Sequence, residues 1–274
     1  MIDDKLQQHR NVWACKPVLR RVYQQYFDKV LARIAALEPI VELGSGPGFF
    51  KEYHQSLIAT DIEATQWTDM VADGCALPFS DGGVGNLVMI DVFHHLARPG
   101  DFLHEASRVL RPGGRLVMLE PWTSPVGYRF YRHVHHEDAD RNADPATPFA
   151  GDKHPFDGNA ALPELYFTAR GHAQPRGHLR DRLHLLSVER FVAMSWLLSG
   201  GFRPYHLLPL RLFPLIARAD RWTGPIARWL ALRAVITLER PKCASPVSAP
   251  QEPRRLDVTR SRSKVTRGEP CVAH

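Results

Sequence analysis

Residues Ile40-Val41-Glu42-Leu43 run directly into Gly44-Ser45-Gly46-Pro47-Gly48. The first four are apolar but for one acid, too few for a helix and enough for a short buried strand. The glycines that follow let the backbone turn tightly and approach a ligand without Cβ clashes. In open α/β sheets, ligands bind at the carboxyl ends of the strands, where this loop falls. Its order is G-x-G-x-G. A dinucleotide fingerprint asks for G-x-G-x-x-G, and Phe49 stands where the last glycine would be. That departure disfavours an NAD-type oxidoreductase.

Upstream, Val18 to Leu37 alternates apolar and basic groups at helical spacing, within an N-terminal helical segment spanning 1–38 that Pro39 closes. Downstream, Ser56 to Asp61 reads as a second strand ending in an acid, and Asn86 to Asp91 as another short apolar run. Asp101 is expected to cap a helix whose Phe102, Leu103, Ala106, Val109 and Leu110 share one face. Pro112-Gly113-Gly114 stops it, and Arg115 to Glu120 is the next strand. Strands alternating with helices predict a parallel, doubly wound sheet.

After Glu120 the rhythm breaks. Residues Trp122 to Arg182 are rich in His, Pro, Asp and aromatic side chains and read as an inserted cap. Ser187 to Leu198 returns to helical spacing, and Gly200-Gly201 ends it. Tyr205 to Leu212 reads as a strand, and Ala231 to Glu239 as the last one. Residues 241–274, dominated by Pro, Ser, Arg and Thr, are expected to be a disordered basic tail.

Three further stretches carry chemistry. Asp61 ends the second strand, where an acid can accept hydrogen bonds from both ribose hydroxyls of an adenosine; a turn aspartate is the plainer alternative. Asp73-Gly74 lies in a short acidic turn before Leu77-Pro78-Phe79, where a carboxylate could accept from an adenine amino group. Asp91-Val92-Phe93-His94-His95-Leu96 ends a central strand and faces the same crevice.

In this order the blocks resemble the class I S-adenosylmethionine-dependent methyltransferase family, especially its small-molecule, quinone-biosynthesis-like branch. The resemblance covers roughly Ile40 to Pro121 and includes Arg111-Pro112-Gly113-Gly114 before RLVMLEP. It implies a Rossmann-like seven-stranded mixed sheet, last strand antiparallel, with helices on both faces and the cap inserted into a domain of 39–240. The cofactor it implies is S-adenosyl-L-methionine. Glu42 would then orient the loop and reach the methionine amino group. Gly44, Ser45 and Gly46 would border the methionine and ribose, and Asp61 with Ile62 beside it would hold the ribose. Asp73 and Gly74 would flank the adenine, and Asp91 and Val92 would line the side near the sulfonium.

A hydroxyl acceptor also needs a base, and histidine titrates in the right range. The candidates are His94 and His95 beyond the cofactor strand and His135 and His136 in the cap. Packing or polar capping is the alternative for each. The run His133 to Glu137 invites a metal, but nothing else supplies a convincing ligand set, so none is expected. Methyltransferases of adenine or glutamine amides carry N/D-P-P-Y/F after the central strand; here it is D-V-F-H, without proline. The expected reaction is methyl transfer to oxygen of a small-molecule or lipid- or glycan-linked acceptor. A cofactor-binding protein without turnover is the alternative from another class.

Formal net charge is +6, with seven Arg between Gly201 and Arg240 against Asp220 and Glu239. No nucleic-acid module is recognisable, so no nucleic-acid partner is expected. The stretch Leu207 to Ile216, followed by Arg218, Arg221, Trp222, Arg228, Trp229 and Arg233, has the composition of a membrane interface, or of a core strand and partly buried helix. No run approaches the roughly 20 apolar residues of a membrane span. The polar start MIDDKLQQHR is unlike a secretory signal, and Cys15, Cys75, Cys243 and Cys271 form no C-x-x-C pair. A cytoplasmic protein is expected, with peripheral contact at the inner membrane face as an option. The oligomeric state is not legible.

Overall fold

A computed structural model describes residues 2–135, 138–149, 157–168, 182–203, 205, 207–222 and 226–242. The tail beyond 242 and His136 lie outside the described residues. Two helices lead, α1 (Ile2–Cys15) and α2 (Pro17–Leu31), divided at Lys16 with Pro17 opening the second. Then come β1 (Ile40–Leu43), α3 (Phe49–Tyr53), β2 (Ile58–Asp61), β3 (Met70–Val71), β4 (Val84–Ile90), α4 (Pro99–Val109) and β5 (Leu110–Pro121). The remainder is α5 (Pro125–His133), α6 (Leu162–Phe167), β6 (His184–Phe191), α7 (Met194–Ser199), α8 (Phe213–Trp222), α9 (Ala227–Leu230) and β7 (Arg233–Glu239).

The seven strands form one sheet in the order β3-β2-β1-β4-β5-β7-β6. The pairs from β3 to β5 are parallel, and β7 runs antiparallel to both β5 and β6. This is the expected mixed sheet, with the last strand in sequence reversed.

Strand alternation sorts the core into two layers. Val41, Leu43, Leu87, Met89, Leu116, Met118 and Ile236 face one way, against Phe102, Leu103 and Ala106 of α4 and Leu162 of α6. Ile40, Val88, Val117, Leu119 and Val235 face the other way, against α2, α3 and the inner face of α8. Because both faces are covered, the central strands are apolar almost throughout, which is why they were visible as short runs. Buried Asn86 ties the layers to the α2–β1 connection: its side chain accepts from Ala35 N and donates to the carbonyls of Ala35 and Leu37.

Three expectations need correction. Ser187 to Leu198 is not one helix: β6 runs to Phe191, and only Met194–Ser199 is helical. The apolar spacing of Leu185, Val188 and Phe191 suits a helix equally well. The exposed edge of β7 decides, since it offers a full row of backbone partners from Arg233 to Glu239. Tyr205 to Leu212 contains no strand among its described residues; Leu210–Leu212 is a single 3-10 turn after Pro209. Asp101 is not the cap of α4, which begins at Pro99; Asp101 sits in its first turn and pairs with Arg98 at 3.1 Å.

Candidate active site

The glycine loop leaves β1 at the sheet's carboxyl edge. Gly44 has φ +69°, and a Cβ there would lie 2.5 Å from Val92 Cγ2, so Val92 occupies the space a side chain would take. Two hydrogen bonds lean the loop on β2: Ser45 N donates to Thr60 O (2.9 Å), and Gly46 N to Asp61 Oδ2 (2.8 Å). Among the described residues, Asp61 Oδ1 receives only a 3.4 Å contact from Glu63 N. Helix α1 crosses above, with Leu6 Cδ2 3.8 Å from where a Gly46 Cβ would sit. Beside it, a cleft of about 410 Å³ opens between Asp4 and Gln7 of α1 and residues 64–67.

Glu42 sits beneath the loop at 4 % exposure, and its Oε2 has no hydrogen-bond partner among the described residues. Burial, reinforced by Asp61, pushes its carboxyl up to about 8. Ser45 Oγ is likewise buried and unpartnered. Ile62 is 61 % exposed at the mouth. Asp73 is exposed and closes its own turn by accepting from Cys75 N at 2.9 Å, while Gly74 packs toward Phe102.

The end of β4 is built differently. Asp91 has φ +60°, a left-handed conformation uncommon outside glycine. It starts a tight turn through Phe93–His95 whose amides converge on Glu120, at the end of β5 and fully buried. Glu120 Oε1 accepts from Val92 N (3.0 Å) and Phe93 N (2.8 Å). Its Oε2 takes a 3.4 Å contact from His94 N and stands 2.6 Å from His94 Nδ1. Asp91 forms a two-point ion pair with buried Arg233, at 2.6 Å in each arm. Burial works against the Arg233 charge, and Asp91 more than restores it, so the guanidinium titrates above its ordinary range. Asp91, His94 and Glu120 approach within 4.8 Å, the separation of metal ligands, but each already has these partners.

The candidate histidines separate. His94 is 1 % exposed and covered by the cap: Asn159 N donates to its carbonyl, and a Cβ on Gly158 would touch its ring. It braces the turn against Glu120. His95 is half-buried, with Nδ1 3.0 Å from Asp157 O. His135 lies in an aromatic cluster, its ring 5.4–5.9 Å from those of Tyr131, Phe130 and Trp196. Arg233 reaches the same cluster, over Trp196 (5.2 Å) and Tyr26 (5.3 Å), and the buried Tyr26 hydroxyl has no hydrogen-bond partner among the described residues. Sequence reasoning missed Glu120, Arg233, Tyr26 and Trp196. Glu120 had a visible signal, since an acid stands at or one residue before the end of its apolar strand, as Glu42 and Asp61 do in theirs.

Residues 41–118 match the family model described as a methyltransferase domain. That stretch runs from β1 into β5 and holds the glycine loop, Asp61, Asp73 and Asp91. Over 107 residues the chain is 31 % identical to an "uncharacterized methyltransferase" of Mycolicibacterium gilvum (strain PYR-GCK), covering 32 % of this chain and 41 % of that one. Over 57 residues it is 42 % identical to the ubiquinone/menaquinone biosynthesis C-methyltransferase UbiE of Roseobacter denitrificans, covering 21 % and 23 %. The matches thus span well under half of either relative. A solved geranyl diphosphate methyltransferase, in complex with GPP and sinefungin, shares the fold with TM-score 0.50, 16 % identity and coverage of 79 % and 78 %.

Proposed function

We propose that this chain binds S-adenosylmethionine and transfers its methyl group to oxygen of a small-molecule or lipid-linked acceptor. The observation that carries the reading is Glu42: a buried carboxylate with one unpartnered oxygen, directly under a glycine loop that Asp61 holds by its Gly46 amide. A buried acid left incomplete in this way suits a cationic ligand group, here the methionine ammonium. Asp61 keeps Oδ1 for a ribose hydroxyl, and exposed Ile62 offers an apolar face to the adenine.

When bound, the cofactor supplies a sulfonium-borne methyl group with a good leaving group. The protein's part is alignment and water exclusion. The glycine loop and Val92 fix the depth of the site, and the Glu120-anchored turn holds Val92 against Gly44. The aromatic cluster of Tyr26, Trp196, Phe130 and Tyr131 beyond Asp91 supplies apolar walls for the acceptor. Of the three described histidines among those proposed as bases, His135 is the one set in that cluster, and we assign it the acceptor proton. His94 acts through the turn as a positioning residue.

Calorimetry tests the reading. S-adenosylhomocysteine is expected to bind with NAD showing no heat, and His135→Ala to lower turnover with cofactor affinity unchanged. Binding of NAD with no response to S-adenosylhomocysteine would overturn it.

A further inference from the structure

In the cluster beyond Asp91, two buried hydrogen-bond donors have nothing to bond. Tyr26 on α2 and Arg233 at the start of β7 are each 2 % exposed. Arg233 spends both of its Nη groups on Asp91, and its Nε has no hydrogen-bond partner among the described residues; neither has the Tyr26 hydroxyl. The guanidinium carbon stands 5.3 Å from the centre of the Tyr26 ring, so the two groups are neighbours. A buried donor left unmade costs stability, and two in one place call for a common partner.

The carboxylates that act on Tyr26 are Asp91 and Asp220, and both are engaged elsewhere. Asp91 is held by Arg233, and Asp220 accepts from the amides of Met194 and Ser195. Burial keeps the Tyr26 phenol protonated well above its usual range, despite the neighbouring guanidinium, so it stays an O–H donor. Arginine Nε can only donate. Both groups therefore suit an oxygen with lone pairs to spare.

Their place in the sheet puts them beside the chemistry. β7 runs antiparallel to β5, so Arg233 opens it at the edge where β4 leads into Asp91. The next residue, Val92, packs on Gly44 of the glycine loop. The donors thus border the position proposed for the sulfonium. The outer members of the cluster, Phe130, His135 and Trp196, are half-buried, with the Phe130 and Trp196 ring centres 6.1 Å apart. Flat aromatic walls around buried donors suit a planar ring that carries an accepting oxygen.

We infer that the Tyr26 hydroxyl and Arg233 Nε bind a carbonyl oxygen of the acceptor, selecting a planar ring that bears this oxygen as well as the hydroxyl to be methylated. The inference rests on the methyl-transfer reading and names the substrate class of the same site; the ring enters by parting Phe130 from Trp196. Two probes test it, 3-hydroxyacetophenone and 3-ethylphenol, which share ring and hydroxyl and differ in the carbonyl. Each is titrated calorimetrically into the full chain saturated with S-adenosylhomocysteine. The ketone is expected to bind about ten-fold more tightly than the ethyl compound. Tyr26→Phe should remove most of that preference and leave S-adenosylhomocysteine affinity unchanged. The unliganded variant should melt at the same temperature or higher, because it no longer buries an unbonded hydroxyl. Equal binding of the two probes, binding of neither at millimolar concentration, or an unchanged preference in Tyr26→Phe would overturn the proposal. A lowered melting temperature would overturn it as well, by showing the hydroxyl already satisfied through a bridging water. S-adenosylhomocysteine binding is measured first. Its absence sinks the methyl-transfer reading and this one with it, whereas its presence with undistinguished probes sinks this one alone.

Discussion

Glu42 and Glu120 are the next-to-last residues of β1 and β5, on either side of β4, and both are withdrawn from water. Their surroundings are opposite. Glu120 gathers three backbone amides and the His94 ring, so every oxygen is used. Glu42 has one oxygen with no partner among the described residues and a carboxyl pushed up to about 8. A satisfied buried acid stabilises a turn. A buried acid left incomplete costs stability, and the natural account of such a group is that a ligand completes it.

The comparison can be broken at either end. The largest effect is expected for Glu120→Ala, which strands the amides of 92–94 and His94. A loss of about 3–5 kcal/mol in chemical denaturation is expected, with cofactor binding falling only as the turn loosens. A stable variant with selectively lost cofactor affinity would exchange the roles of the two acids.

Next comes Asp61→Ala. It removes the partner of Gly46 N and the proposed ribose acceptor, and should weaken S-adenosylhomocysteine binding by about 1.5–3 kcal/mol. Unchanged calorimetric affinity in a folded variant would leave Asp61 as a turn residue alone.

Glu42→Gln should cost cofactor affinity about ten-fold while leaving the unliganded protein as stable as before or more so. Glu42 also leaves a signature in pH. A folded-state pKa raised from 4.5 to about 8 means that the folded protein keeps a proton the unfolded chain releases. That contribution is fully present below about 4.5 and is lost as pH rises through about 8. The melting temperature of the unliganded protein should therefore fall across this window relative to Glu42→Gln. S-adenosylhomocysteine affinity should rise over the same interval, as the carboxylate becomes available to an ammonium. Parallel melting curves for the two proteins would show that Glu42 is not held protonated.

From sequence the two acids looked alike, each closing an apolar run. What separates them is the turn after β4, which depends on Asp91 adopting a left-handed conformation and on Arg233, 142 residues later, holding it there. No local pattern encodes that. β1, β4, β5 and β7 were legible because burial on both faces writes them as unbroken apolar runs. β6 was not, because an edge strand exposes Leu185, Leu186 and Arg190 and borrows its conformation from its neighbour. The glycine loop and Asp61 lie beside each other because strand ends in a parallel sheet share one edge. The histidines were not separable, because burial under the cap decides which of them can meet another molecule.

Lys16 has a consequence for the order in which the protein can be made. Its ammonium donates to the carbonyls of Gly201, Arg203 and Tyr205 at 2.7–2.9 Å, across 185 or more residues of chain. Trp13 and Tyr23 beside it stack around Phe49 and Phe202. These helices thus wait for partners synthesised 185 or more residues later. During that interval their apolar faces are open, and the sheet still lacks β7, the strand that joins β6 to β5. A nascent chain halted before Gly201 should hold β1 to β5 without this clasp, and should depend on chaperones more than the finished protein does.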